Sequence, residues 1–177
     1  MNSIPKITAQ PLQADNFSEF GEVIQRPPAG VRRYYNELLE NTRADARVDL
    51  SLTSIAPVGN LPMRATVMER HPFSSQTFLP LQASRYLVIV APDNDDGGPD
   101  LTRVRAFVSG SDQGITYRCG VWHHGMTVLD EPAVMAIVMW CDGSSKDEEF
   151  VTLETPFDVE EFSCLPDSGS GPDKSAG

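Results

Sequence analysis

A chain of 177 residues with a hydrophobic share of 40% carries enough apolar mass for one packed core, which argues against a repeat array or a wholly disordered protein. Its 25 acidic residues against 14 basic ones leave a formal net charge of −11, so neither nucleic acid nor a membrane surface is expected as a partner. The opening MNSIPKITAQ lacks the basic and apolar regions of a signal peptide, and no apolar run is long enough to span a bilayer, so a cytoplasmic location is expected.

From Asp15 to Gly21 the chain offers a capping aspartate, aromatics at Phe17 and Phe20 and a terminal glycine, which predicts one short N-terminal helix. Beyond it the chain turns strand-like, with strands predicted over 47–55, 64–71, 76–79, 86–91, 102–108, 115–118, 126–129, 134–140 and 150–153. They are short, rich in Val, Ile, Thr and aromatics, and punctuated by Pro, Gly, Asn and Asp, the pattern of an all-β sandwich or barrel. The polar runs 93–100 and 142–149 are expected to be solvated loops, and the first lacks the ligand spacing and closing glutamate of a calcium loop. Cys119, Cys141 and Cys164 are odd in number and stand at no metal-finger spacing, as expected of reduced thiols. Residues 1–162 are expected to form a single domain, and 163–177, with little to bury, a disordered tail.

The only three histidines fall in two clusters, Glu69-Arg70-His71-Pro72 and Gly120-Val121-Trp122-His123-His124. On a strand, residues two apart share a face, so Glu69 and His71 project together while Arg70 points away. Gln76 follows the turn-like Pro72 to Ser75 and returns to the same site, and one of the adjacent pair His123 and His124 can join it. A carboxylate, two imidazoles and an amide oxygen form a mixed set suited to Ni²⁺, Zn²⁺, Fe²⁺ or Mn²⁺. A single such histidine is more often a packed core residue, and it is the pairing of two clusters that points to a site.

These strings, with Gln76-Thr77-Phe78-Leu79-Pro80, Pro99-Asp100-Leu101, Arg105-Ala106-Phe107, Gln113-Gly114 and Tyr117, resemble the ureidoglycolate lyase family of allantoin catabolism, formerly called ureidoglycolate hydrolase. The resemblance runs from Asn60-Leu61-Pro62 to about Trp140, with an echo over 17–24. It implies a cupin-like antiparallel β-barrel of the jelly-roll type, a homodimer, and cleavage of ureidoglycolate to glyoxylate and urea. It places Glu69, His71 and Gln76 where an ordinary cupin carries His, His and Glu, and favours His123 over His124 as the inward ligand. Nickel is the metal it implies; no organic cofactor is expected. Two departures stand out: Gly125 replaces a proline common after the histidine pair, and Tyr34-Tyr35-Asn36-Glu37 replaces the family's N-terminal segment.

The implied reaction is an elimination, since losing the hydroxyl proton expels urea without water. His71, Gln76 and His123 are then expected as metal or substrate ligands, Glu69 as ligand or base, and His124 as acid for the leaving nitrogen. An acidic protein needs local positive charge for an anionic substrate, which nominates Arg105 and Arg70, with Tyr117 as a pocket hydroxyl. Two other readings stay open: a diverged cupin enzyme on a related small carboxylic acid, and a non-catalytic ligand-binding cupin. Serine-triad hydrolysis is set aside for want of a nucleophile elbow.

Overall fold

In the computed structural model, which describes residues 4–161, the chain is almost wholly β. In chain order the elements are β1 (Lys6–Pro11), α1 (Ala14–Phe17), β2 (Gly21–Gln25), β3 (Arg47–Ile55), β4 (Met63–Arg70), β5 (Gln76–Gln82) and β6 (Tyr86–Ala91). They continue as β7 (Arg105–Ser109), β8 (Gln113–Tyr117), β9 (Trp122–His123), β10 (Thr127–Val128), β11 (Ala133–Cys141) and β12 (Glu149–Glu161). From β4 onward the chain passes repeatedly between two sheets, ordered β10-β6-β7-β1-β12-β4-β9 and β2-β8-β5-β11-β3, the jelly-roll arrangement. Because β9 also pairs with β6, the first sheet closes on itself.

Strand β6 shows what holds the two layers together. All six of its residues are buried, since both faces are covered. Tyr86, Val88 and Val90 pack with Phe17, Phe78, Ile115 and Tyr117 against the second sheet, while Leu87, Ile89 and Ala91 pack with Met68, Trp122 and Phe157 inside the closed one. A strand buried on both sides reads as an unbroken apolar run, and Tyr86-Leu87-Val88-Ile89-Val90-Ala91 is one.

Several expectations need correcting. The helix spans only Ala14–Phe17, is capped by Gln13 rather than Asp15, and Gly21 opens β2 instead of ending the helix. There the backbone of β8 approaches so closely that a Cβ on Gly21 would lie 1.9 Å from the Thr116 carbonyl oxygen. Strands β1 and β2 were not foreseen, and β1 pairs in parallel with both β7 and β12, so the barrel is not purely antiparallel. The strand expected over 102–108 begins only at Arg105. Those expected over 76–79 and 150–153 run on through Pro80 and Pro156, each next to a register shift, where a strand can accommodate a missing N–H. Cys119 and Cys141 are free thiols, while Cys164 and the expected tail lie outside the described residues. Among the described residues no helix is long and apolar enough to cross a membrane.

Candidate active site

Strand register assembles the site from two facing rows. In the closed sheet His123 lies opposite Glu69 on one side and Val90 on the other, and Val90 lies opposite Arg105. Residues opposite one another share a face, so Glu69, His123, Val90 and Arg105 form one row. In the second sheet Tyr117 lies opposite Gln76 and Gly21. The rows meet where the Tyr117 ring stacks on the His123 imidazole, with centroids 4.2 Å apart and planes 16° apart. His71 follows the last residue of β4, on the turn that carries the chain to β5, and its ring centroid lies 5.5 Å from that of His123.

Hydrogen bonding defines the state of both rings. Nδ1 of His71 is 2.7 Å from the Asp147 carbonyl oxygen, and Nδ1 of His123 is 2.9 Å from that of Val121. A carbonyl oxygen only accepts, so each Nδ1 carries a hydrogen, and the His71 ring presents a bare Nε2 lone pair. Both Nε2 atoms, and Oε1 of Gln76, are buried without a hydrogen-bond partner. Leaving a buried polar group unsatisfied costs about 1–3 kcal/mol, so three together mark a place made for something else. Burial, seconded by the His123 ring, pushes the His71 imidazole below its usual 6.5 and keeps it neutral, against the opposing pull of Asp147 and Glu69.

The Glu69 carboxylate approaches His123 Nε2 at 3.5 Å. Burial alone would raise its pKa, but its interactions with His123, and more weakly with His71 and His124, bring it below the usual carboxylate value. Burial pushes the Tyr117 phenol well above its usual value, so this hydroxyl stays protonated. The nearby Cys119 thiol is likewise pushed up, to about 11, by burial and the Glu40 and Asp147 charges, and is no nucleophile at neutral pH.

By donor chemistry the residues fit a divalent metal. Two imidazole nitrogens, an amide oxygen and a carboxylate are what borderline metals take, and an Nδ1–H bound to a carbonyl is the usual support of a ligating histidine. Among the described residues no three His, Cys, Asp or Glu side chains converge as a ready cluster, so an ion here would draw on Gln76 as well.

His124, next in the chain after His123, is held by local bonds. It is half-buried, with Nδ1 2.9 Å from the Gly125 carbonyl oxygen and 3.3 Å from Thr127 Oγ1. Arg70, on the opposite face from Glu69, pairs with Glu149 at 2.6 Å and Asp93 at 2.9 Å and lies 4.5 Å over the Trp122 ring. The structure thus gives it other partners than the histidines. Arg105 stays in the row of His123, its guanidinium 5.0 Å from the Phe107 ring centroid, and among the described residues no carboxylate pairs with it. Gly125 lies beside Glu69, where a Cβ would sit 3.8 Å from Oε1. Tyr35 is tied to the backbone of Gln25, and the stretch after it crosses the His71–Gln76 turn through Ser75 N–Glu40 O and Thr42 N–Phe73 O bonds of 2.9 Å.

Asp147 is the residue that sequence reasoning missed. Expected in a solvated loop, it is 3% exposed. Its carboxylate accepts from Phe73 N at 2.7 Å, Ser74 Oγ at 2.5 Å and Arg43 Nη2 at 2.7 Å. No periodicity marks it, because its partners lie 73 and 104 residues away.

The family model described as ureidoglycolate lyase matches residues 4–160. The ureidoglycolate lyase of Brucella anthropi is 33% identical over 165 residues, covering 89% of this chain and 96% of its own. That of Rhizobium leguminosarum bv. trifolii is 35% identical over 161 residues, covering 86% and 94%. Among solved structures, a dTDP sugar isomerase from Desulfovibrio desulfuricans G20 superposes with a TM-score of 0.48 at 15% identity, over 76% of this chain and 83% of that one. Matched over residues 4–160 by the family model and over most of both chains by these relatives, this chain belongs to the ureidoglycolate lyase family.

Proposed function

We infer that the chain is a ureidoglycolate lyase, converting ureidoglycolate to glyoxylate and urea. The observation that carries the chemistry is the trio of buried polar atoms without a hydrogen-bond partner, His71 Nε2, His123 Nε2 and Gln76 Oε1, beside the Glu69 carboxylate. Such a set is satisfied by a cation or by a ligand rich in O–H and N–H donors. Ureidoglycolate is such a ligand, with a hydroxyl, a carboxylate and a ureido nitrogen on one carbon.

Cleavage breaks the O–H and C–N bonds, forms the aldehyde C=O of glyoxylate and returns the proton to the departing nitrogen, so the atoms balance without water. Glu69, held ionised, takes the hydroxyl proton, a transfer that typically contributes ~10²–10⁴ in rate. His124, on the more open side, serves the leaving nitrogen. Arg105 receives the substrate carboxylate and supplies the local positive charge that a chain of net charge −11 otherwise lacks. Tyr117 walls the His123 ring and offers a neutral hydroxyl. A divalent cation held by His71, His123 and Gln76 would acidify the substrate hydroxyl, and nickel is the ion the family resemblance suggests.

Incubating the purified protein with ureidoglycolate and measuring urea, glyoxylate and ammonia separately tests this. Urea and glyoxylate are expected in equal amounts. Ammonia in place of urea, or full turnover by His71→Ala and His123→Ala, would overturn the assignment.

The protein is further inferred to work in the cytoplasm as a homodimer. Strand β3 lies at a sheet edge and exposes Val48, Leu50 and Leu52, at 58%, 67% and 65%, on one face. Such a row on an edge strand is what a second copy covers. Light scattering is expected to give twice the chain mass for the wild type and the monomer mass for Leu50→Lys.

A further inference from the structure

We propose that Asp147 and Arg43 are positioning residues for His71, setting which of its nitrogens faces the site; for catalysis this rests on the lyase reading above. Asp147 is a buried charge. A carboxylate 3% exposed is costly unless fully bonded, and Asp147 is fully bonded: Phe73 N at 2.7 Å, Ser74 Oγ at 2.5 Å and Arg43 Nη2 at 2.7 Å. Two of these partners, Phe73 and Ser74, lie on the turn between His71 and Gln76. The carboxylate therefore grips the segment that carries two of the three unpartnered polar atoms, His71 Nε2 and Gln76 Oε1.

The backbone of the same residue does the orienting. Its carbonyl oxygen accepts from His71 Nδ1 at 2.7 Å, which places the ring hydrogen on Nδ1 and leaves the Nε2 lone pair facing the site. Arg43 fastens the loop from its other side, with Nη1 3.1 Å from Asp142 and Nη2 donating to the Trp140 carbonyl at 2.8 Å. Side chain and carbonyl of Asp147 thus form one clamp. Loosening the carboxylate frees the carbonyl to drift, and His71 can then place its hydrogen on Nε2, where it would present a donor instead of an acceptor.

The test reads the tautomer directly. Side-chain ¹⁵N spectra of chelator-treated full-length protein at pH 8, with the His71 signals assigned through His71→Gln, are expected to show a protonated Nδ1 and a bare Nε2. In Asp147→Asn and Arg43→Met both nitrogens should move toward averaged shifts, with kcat for urea release down about 10- to 100-fold. Arg64→Met, which breaks a surface pair with Asp158, should leave the spectrum and kcat at wild-type values. A wild-type His71 protonated on Nε2, or folded Asp147→Asn and Arg43→Met proteins with the wild-type tautomer, would overturn the proposal. If those two variants fail to fold, Ser74→Ala and Arg43→Lys decide by the same spectra, with a partial shift expected and an unchanged tautomer refuting. Should wild-type protein release no urea, the lyase assignment fails, while the tautomer result is decided independently of it.

Discussion

Tyr117 is where the architecture and the proposed chemistry can be separated. Its ring stacks on His123 at 4.2 Å, meets Phe78 edge-on at 6.1 Å and tilts against Phe17 at 6.1 Å, all in the core between the sheets. Truncating a buried aromatic to alanine costs about 3–5 kcal/mol, within which three aromatic contacts at about 0.5–1.5 kcal/mol each are a large share. For a chain of this size, a loss of that order lowers the melting temperature by about 6–20 °C. Since folded domains hold about 5–15 kcal/mol, Tyr117→Ala should still fold, with His123 freed from its wall and kcat for urea release down at least ~10-fold. Tyr117→Phe keeps all three ring contacts, so its stability should change by no more than about 1 kcal/mol, and its activity then isolates the hydroxyl. Thermal and urea unfolding read the first quantity and steady-state urea release the second. A Tyr117→Ala protein melting within about 2 °C of wild type would refute the packing argument. A Phe variant as unstable as the Ala variant would show that the hydroxyl, and not the ring, holds this part of the core.

Acid should destabilise the metal-free protein through His71. Its folded-state pKa lies below the usual 6.5, so between the two values the unfolded chain binds more protons and stability rises with pH. Unfolding free energy should therefore fall as pH drops below 6.5, and His71→Gln should flatten that slope in urea titrations. Gly21→Ala forces a Cβ to within 1.9 Å of the Thr116 carbonyl oxygen, so β2 must separate from β8. A loss of at least ~3 kcal/mol is expected in chemical denaturation, above the usual range for overpacking because the obstacle is backbone. A divalent ion at about 100 times its dissociation constant should raise stability by about 2.7 kcal/mol in a thermal-shift titration, and His123→Ala should abolish the gain.

How much of this was legible in the sequence follows from which residues carry local signals. The apolar run of β6 announces a strand because burial on two faces leaves a direct imprint on composition. Strands β1 and β2 leave weaker imprints: Lys6–Pro11 and Gly21–Gln25 include Pro, Gly and several polar residues, and owe their strand state to partners far along the chain. Gly21 shows the ambiguity well, since the sequence position after Phe20 suits a helix end while the structure needs it for close contact with β8. At the site, the two-residue periodicity of a strand already separates Glu69 and His71 from Arg70. What periodicity cannot reveal is that His123 belongs to a two-residue strand closing the first sheet, or that Asp147 is buried by contacts scattered along the chain.

The substitutions that make this site unlike an ordinary cupin are also easier to understand in register. The family resemblance sets Glu69 where a histidine would stand and Gln76 where a glutamate would stand. One carboxylate and two histidines are kept, but the negative charge has moved from the second sheet, where Gln76 faces inward from β5, to the first, where Glu69 lies opposite His123. A metal held by an ordinary set has its carboxylate engaged as a ligand. Here the carboxylate sits at 3.5 Å from an imidazole nitrogen, partly exposed and below its usual pKa, so it is ionised and available. The neutral amide left on the opposite sheet can accept from a ureido N–H without competing for the proton. On the lyase reading proposed above, a carboxylate so placed would serve as the base that an elimination requires.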